Sequence, residues 1–323
     1  MIDDVLAQPH QIADALWRVD AAGVSPIDLS GGLVVCGMGG SAIGGDLAAA
    51  AIGDRAKRPI RTVRGYELGP DVGPDTLVLC SSYSGSTEET LACFDAAGEA
   101  GAQRVALTTG GPLAERAREH GVPVAGVPSG MQPRAAIVYM TIGALECAAL
   151  CGAAPSLRGE IEGAQAVLEE TAESGGPEDI ARALDETIPV VHGAGPTAAV
   201  ARRWKTQLNE NSKIAAFASE IPEANHNEIE GWAHGLDQAP FSAVFLHMPG
   251  LHPRLERRMD LTADRLADMG APVVRVDARG STPVANVLSL VMKGDLVSVS
   301  LAELAGVEPT PVAAIEGFKS ALG

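Results

Sequence analysis

The chain of 323 residues has no uninterrupted run of 18 apolar residues, no excess of positive charge and no two pairs of cysteines at metal-binding spacing. The first absence argues against a membrane-spanning helix. The second argues against nucleic acid, because 41 acidic residues against 24 basic ones leave a net charge of -17 that repels a phosphate backbone over most of the surface. The third, with an odd total of five cysteines, argues against a structural zinc site and a disulfide frame, so reduced thiols are expected, with Cys36 and Cys80 packed as small hydrophobes. Met1-Ile2-Asp3-Asp4 lacks the basic stretch that opens a secretory signal, and cytoplasmic residence is the expectation. Lysine is scarce as well, five against 19 arginines, which makes each lysine stand out.

What is present begins with 46% hydrophobic residues, enough for a large core, over a length that predicts two domains of roughly 100 to 200 residues each. Leu33-Val34-Val35-Cys36 and Thr76-Leu77-Val78-Leu79-Cys80 are unbroken or nearly unbroken apolar runs of the kind that form buried parallel strands. Each leads into a turn, Gly37-Met38-Gly39-Gly40-Ser41-Ala42-Ile43-Gly44-Gly45 and Ser81-Ser82-Tyr83-Ser84-Gly85-Ser86-Thr87, and each turn opens a helix-like segment. Turns in that position present unpaired backbone N–H groups and the positive end of a helix dipole. The hydroxyls of the second turn add donors without adding charge, which suits a phosphate monoester. A dinucleotide site competes with this reading, since residues 37–42 satisfy the G-x-G-x-x-G/A pattern. About twenty residues on, however, where a ribose would need an acid, stands Arg64, which fits only a 2′-phosphate. Simple helix capping with no ligand is the bland alternative for both turns.

Residues 59–63, 104–108 and 122–125 read as further strands, completing a five-stranded doubly wound sheet. An amphipathic leader helix is predicted over residues 1–20, with Val5, Leu6, Ile12, Leu16 and Trp17 on its apolar face. Near Ala153 the pattern becomes acidic and helix-prone and then breaks at Ser174-Gly175-Gly176-Pro177. The predicted organisation is a first domain over 1–152, a helical connection over 153–187 and a second domain over 188–323. Strands are predicted in the latter at 188–192, 213–217, 242–246 and 272–276, and Gly193-Ala194-Gly195-Pro196-Thr197 echoes the first glycine turn, as in a diverged tandem repeat. Trp204 and Trp232 are expected to pack one domain against the other, and His192, His234 and His247 to carry no role. Asn225 reads as an N-cap that would set His226 in the first turn of a helix, where the dipole depresses a histidine pKa.

Further segments stand out: Pro133-Arg134-Ala135-Ala136, Lys205-Thr206-Gln207-Leu208-Asn209-Glu210-Asn211-Ser212-Lys213, Glu220-Ile221-Pro222-Glu223-Ala224-Asn225-His226-Asn227-Glu228 continuing to Trp232, and Glu316-Gly317-Phe318-Lys319. With the two turns they resemble, over nearly the whole chain, the bifunctional phosphoglucose/phosphomannose isomerase family of sugar isomerase (SIS) domain proteins. The resemblance implies an α/β fold of two SIS-type doubly wound parallel-sheet domains in tandem, each an αβα sandwich. It implies an aldose-ketose isomerase, free of cofactor and metal, that acts on glucose 6-phosphate and fructose 6-phosphate with mannose 6-phosphate as a second aldose. It also implies a homodimer whose active site takes in His226 of the partner subunit. By the same resemblance Glu210 is the base that moves a proton between C1 and C2, His226 assists ring opening with Lys319 nearby, and Arg134 stabilises the enediolate. Gly39, Gly40, Ser41, Ser82, Ser84 and Thr87 hold the phosphate. Ser86 departs from the family, which commonly has asparagine there. A sugar-phosphate-binding regulatory protein without turnover and an NADP-binding reductase remain as alternatives.

Overall fold

The two apolar runs are neighbouring inner strands of one parallel sheet, and both are buried from end to end, which is why neither shows an inward/outward alternation. A computed structural model describes residues 1–322 of the chain. Along it run α1 (Ile2–Leu6), α2 (Gln8–Ala21), β1 (Gly32–Cys36), α3 (Gly39–Ile52), β2 (Ile60–Val63), β3 (Thr76–Ser81), α4 (Glu88–Glu99), β4 (Gln103–Thr108), α5 (Gly111–Glu119), β5 (Val124–Gly126), α6 (Ile137–Leu150), α7 (Arg158–Glu173) and α8 (Pro177–Leu184). Then follow β6 (Ile188–Ala194), α9 (Pro196–Glu210), β7 (Phe217–Ile221), α10 (Glu228–Gln238), β8 (Phe241–His247), α11 (Pro253–Asp268), β9 (Val273–Asp277), α12 (Pro283–Leu304) and α13 (Ala313–Leu322). The chain divides into a first unit, Leu6–Ala172 with Arg279–Ser289, and a second, Met1–Val5 and Glu173–Ala278 with Leu290 onward.

In the first unit the sheet order is β2-β1-β3-β4-β5, with every pair parallel. The connections leave β1 to one side for β2 and return to the other for β3, so the switch point lies between β1 and β3 and opens a crevice at their carboxyl ends. Both turns singled out in the sequence sit there. Cys36 and Cys80 face each other across the strand register and join Val34, Val78, Phe94 and Leu113 in one apolar cluster. All five cysteines are free and buried.

The second unit repeats the scheme with four parallel strands, β7-β6-β8-β9, around a core that includes Ile221, Trp232, Phe245, Met259 and Leu266. The edge strand β7 begins at Phe217, where the predicted strand ends. Its polar, half-exposed pattern, including Ser219 and Glu220, hides it from a search for apolar runs. Residues 213–216 instead form a loop, held where Asn209 Nδ2 donates to the Ile214 carbonyl at 2.9 Å. Trp204 and Trp232 both pack within this unit, contrary to their predicted place between domains. Trp204 donates from Nε1 to the Leu290 carbonyl at 2.8 Å, and Trp232 lies 6.0 Å from the rings of His192 and Phe241.

Other expectations are corrected locally. The leader is two helices, because Pro9 has no N–H to donate and restarts the helix in its own first turn. Val5, Ile12 and Leu16 are buried as expected, but Leu6 and Trp17 are exposed. Two helical stretches, Pro133–Leu150 and Pro283–Leu304, are long and apolar enough to cross a membrane by composition. They lie 83% and 89% buried in the protein, as core helices do.

His192 carries a cost that the sequence does not advertise. It is 1% exposed, stacked on Phe245 at 4.7 Å, and neither ring nitrogen has a hydrogen-bond partner. Burial pushes its pKa from 6.5 down to about 4. The fold therefore binds this proton less readily than the unfolded chain does. The stability it contributes is complete above pH 6.5 and is lost as the pH falls from 6.5 to about 4, a change of about 3 kcal/mol. His192→Leu is expected to flatten the melting-temperature profile across that window. A variant as acid-sensitive as the parent would assign the acid limb to other groups.

Candidate functional site

The first turn enters α3, where the Ser41 amide donates to the Met38 carbonyl at 3.0 Å but those of Gly39 and Gly40 have no intrahelical acceptor, and the N-cap residue Met38 offers no side-chain oxygen to them. The second enters α4 at Thr87, whose hydroxyl also leaves the helix amides alone and meets Ser82 Oγ at 2.9 Å. Both helix ends are thus left open to an anion, with Glu88 and Glu89 the charged residues of the first turn of α4. Ser82 is buried and accepts the Gly85 amide at 3.1 Å, while Ser84 accepts the Ser86 amide at 3.3 Å and its hydroxyl at 3.0 Å. The turn is consequently shaped before any ligand arrives. Gly85 makes that shape possible: its φ is +70°, and a Cβ there would lie 1.9 Å from the Gly110 carbonyl.

The two turns are joined to each other and to Arg134. The amide of Tyr83 donates to Ser41 Oγ at 3.3 Å, and the Tyr83 hydroxyl accepts from the Met131 amide at 3.1 Å, three residues before Arg134. Arg134 is 4% exposed, donates to Gln132 Oε1 at 3.3 Å, and passes so near the first turn that a Cβ on Gly40 would stand 3.4 Å from its Cα. Gly39, Gly40, Ser41, Ser82, Ser84, Thr87 and Arg134 therefore form one cluster within the first unit. Tyr83 is not among the site residues expected from sequence. Its signal is that of a single aromatic residue in a turn otherwise made of serine, glycine and threonine.

The other predicted residues belong to the second unit. Glu210, half-buried, is the last residue of α9, a helix that Pro196 starts just after Gly195. Two neighbours lock this end onto α12: Asn211 Nδ2 donates to Ser298 Oγ at 2.9 Å, and Ser212 Oγ donates to the Ser298 carbonyl at 2.7 Å. His226 is exposed and closes a 3-10 turn, Glu223–His226. Asn227, not Asn225, caps α10, accepting the Glu228 amide at 2.6 Å, while Asn225 donates to Thr262 Oγ1 at 2.7 Å. His226 thus precedes the cap and lies outside the first turn of α10, contrary to the expectation from sequence. Lys319 lies exposed on α13.

Elsewhere, Arg64, the cation a 2′-phosphate would require, is paired with Asp46 at 2.6 Å. A cavity of about 410 Å³ at the carboxyl ends of β8 and β9 is lined by His247, Glu256, Asp260 and Asp277, among others, an acidic wall unsuited to a phosphate. Among the described residues, no three His, Cys, Asp or Glu side chains converge as a metal site.

Residues 174–322 match the family description "Bacterial phospho-glucose isomerase C-terminal SIS domain". The bifunctional phosphoglucose/phosphomannose isomerase of Aquifex aeolicus is 39% identical over 95% of this chain and 94% of its own. That of Caldicellulosiruptor bescii is 36% identical over 100% and 98%. A hypothetical protein from Thermus thermophilus shares the fold with a TM-score of 0.78 at 19% identity, over 99% of this chain and 89% of that one.

Proposed function

The chain belongs to the bifunctional phosphoglucose/phosphomannose isomerase family, and on that premise we propose that it interconverts glucose 6-phosphate or mannose 6-phosphate with fructose 6-phosphate. The observation that carries the reading is the pair of hydroxyl-bearing turns at the switch point between β1 and β3, a place for a phosphate monoester with Arg134 built against it.

The reaction follows from what the assigned groups can do. With the phosphate held by Gly39, Gly40, Ser41, Ser82, Ser84 and Thr87, His226 and Lys319 move the proton that opens the ring. The Glu210 carboxylate takes the proton from C2 of the aldose, and the guanidinium of Arg134 meets the charge that develops on the enediolate oxygen. The same carboxyl group returns the proton to C1 while the hydroxyl proton passes from O2 to O1, giving the ketose. Glucose and mannose differ only at C2, the carbon that becomes planar, so one enediol serves both aldoses. A homodimer that brings in His226 of the partner subunit is part of this proposal. It draws support from the exposure of His226 and from the apolar face of α13, where Ile315, Phe318 and Leu322 are all exposed.

Proton NMR of each of the three sugar phosphates, incubated with the protein in D2O, tests the reading. Deuterium is expected at C1 or C2 together with aldose-ketose interconversion. Sugars that bind yet remain unexchanged would instead identify a sugar-phosphate-binding protein without turnover.

A further inference from the structure

Lys213 is one of only five lysines, and it holds a left-handed backbone conformation with φ +59°, which strains a lysine and would suit a glycine. It lies three residues beyond Glu210, after the end of α9. Its Nζ donates to three backbone carbonyls: Glu210 at 2.5 Å, Pro309 at 3.2 Å and Pro311 at 2.5 Å. The first belongs to the last residue of α9, whose carbonyl has no partner within the helix. The other two lie in Val307-Glu308-Pro309-Thr310-Pro311-Val312, the connector between α12 and α13. That connector leads into a helix with no buried residue, so α13 is not fixed by a core of its own.

We infer that Lys213 is a positioning residue: its ammonium clamps the connector to the end of α9 and so sets α13, with Lys319, relative to Glu210. The inference rests on the roles proposed above for Glu210 and Lys319. An ammonium suits the task because it offers three donors and no acceptor, and here it meets three carbonyl oxygens. The left-handed backbone is the local cost of aiming the side chain back at α9 and outward to the connector together.

Lys213→Gly separates the clamp from ordinary helix termination. Glycine is the residue best suited to this φ, so if Lys213 only ends α9, the substitution leaves the protein intact. A clamp is lost with the side chain. The expected result for Lys213→Gly in the full chain is an unchanged melting temperature and at least about tenfold faster amide exchange at Val307, Glu308, Thr310 and Val312. With it comes a kcat lowered about tenfold at an unaltered KM, since the phosphate anchors are untouched. Lys213→Arg, which keeps a cation and its donors, recovers most of both effects. Parental exchange rates in Lys213→Gly overturn the clamp, and faster exchange with parental kcat overturns the positioning role. Should the parent protein itself show no isomerisation, the proposed function fails on its own, and the exchange rates alone decide whether the clamp exists.

Discussion

Glu210→Gln is expected to lower kcat by about 10³-fold, close to 4 kcal/mol of transition-state stabilisation, and to leave the binding of sugar phosphate nearly unchanged. Glutamine matches glutamate in shape but cannot take a proton from carbon, so the transfer between C1 and C2 stops while the phosphate turns stay as they were. The backbone carbonyl that Lys213 engages is also retained, and with it the end of α9. Deuterium incorporation at C1 and C2 reports the step directly and should vanish together with turnover. A loss of less than tenfold would move the base to another residue and leave Glu210 as a half-buried helix-end carboxylate. Weakened sugar-phosphate binding at parental kcat would point to a role in binding alone.

Removing the carboxylate of Asp295 is expected to cost about 3 to 5 kcal/mol of folding stability. Asp295 on α12 and Arg203 on α9 are each 1% exposed, with Arg203 Nη2 at 3.0 Å from both carboxylate oxygens. In Asp295→Ala the guanidinium stays buried without this carboxylate, an arrangement the interior does not tolerate. Domains of this kind hold only about 5 to 15 kcal/mol in total, so the variant should unfold at a visibly lower urea concentration. The double variant Arg203→Met with Asp295→Leu should recover most of the loss, because the pair itself adds little once both charges are gone. A single variant within about 1 kcal/mol of the parent would show that the pair is dispensable. The helix at stake is the one that ends in Glu210, so loss of this pair would lower activity by depleting folded protein.

Much of the architecture is written locally. An inner parallel strand buries both faces, so residues 33–36 and 76–80 advertise themselves as apolar runs, and the turns that follow them are marked by glycine and serine. The edge strand β7 buries only part of one face and so leaves no such mark. The N-cap of α10 shows a different limit: Asn225 and Asn227 are equally good caps by type, but on α11 Arg258 donates to Asn225 Oδ1 at 3.3 Å and Thr262 accepts from its Nδ2, which leaves Asn227 to turn its oxygen to the helix.

The order of residues by itself determined the two parallel α/β sheets, the placing of both turns at strand ends and the family to which the chain belongs, because these depend on burial periodicity and on short motifs. Tertiary structure alone decided that Tyr83 ties both turns to the segment before Arg134, that Trp204 and Trp232 pack inside one unit, and that His192 is stranded between aromatic rings. It also decided that Lys213 joins the end of α9 to a connector nearly a hundred residues later. Each of these rests on contacts between residues far apart in the chain, and no local pattern records which distant partner a side chain will meet once the strands and helices pack.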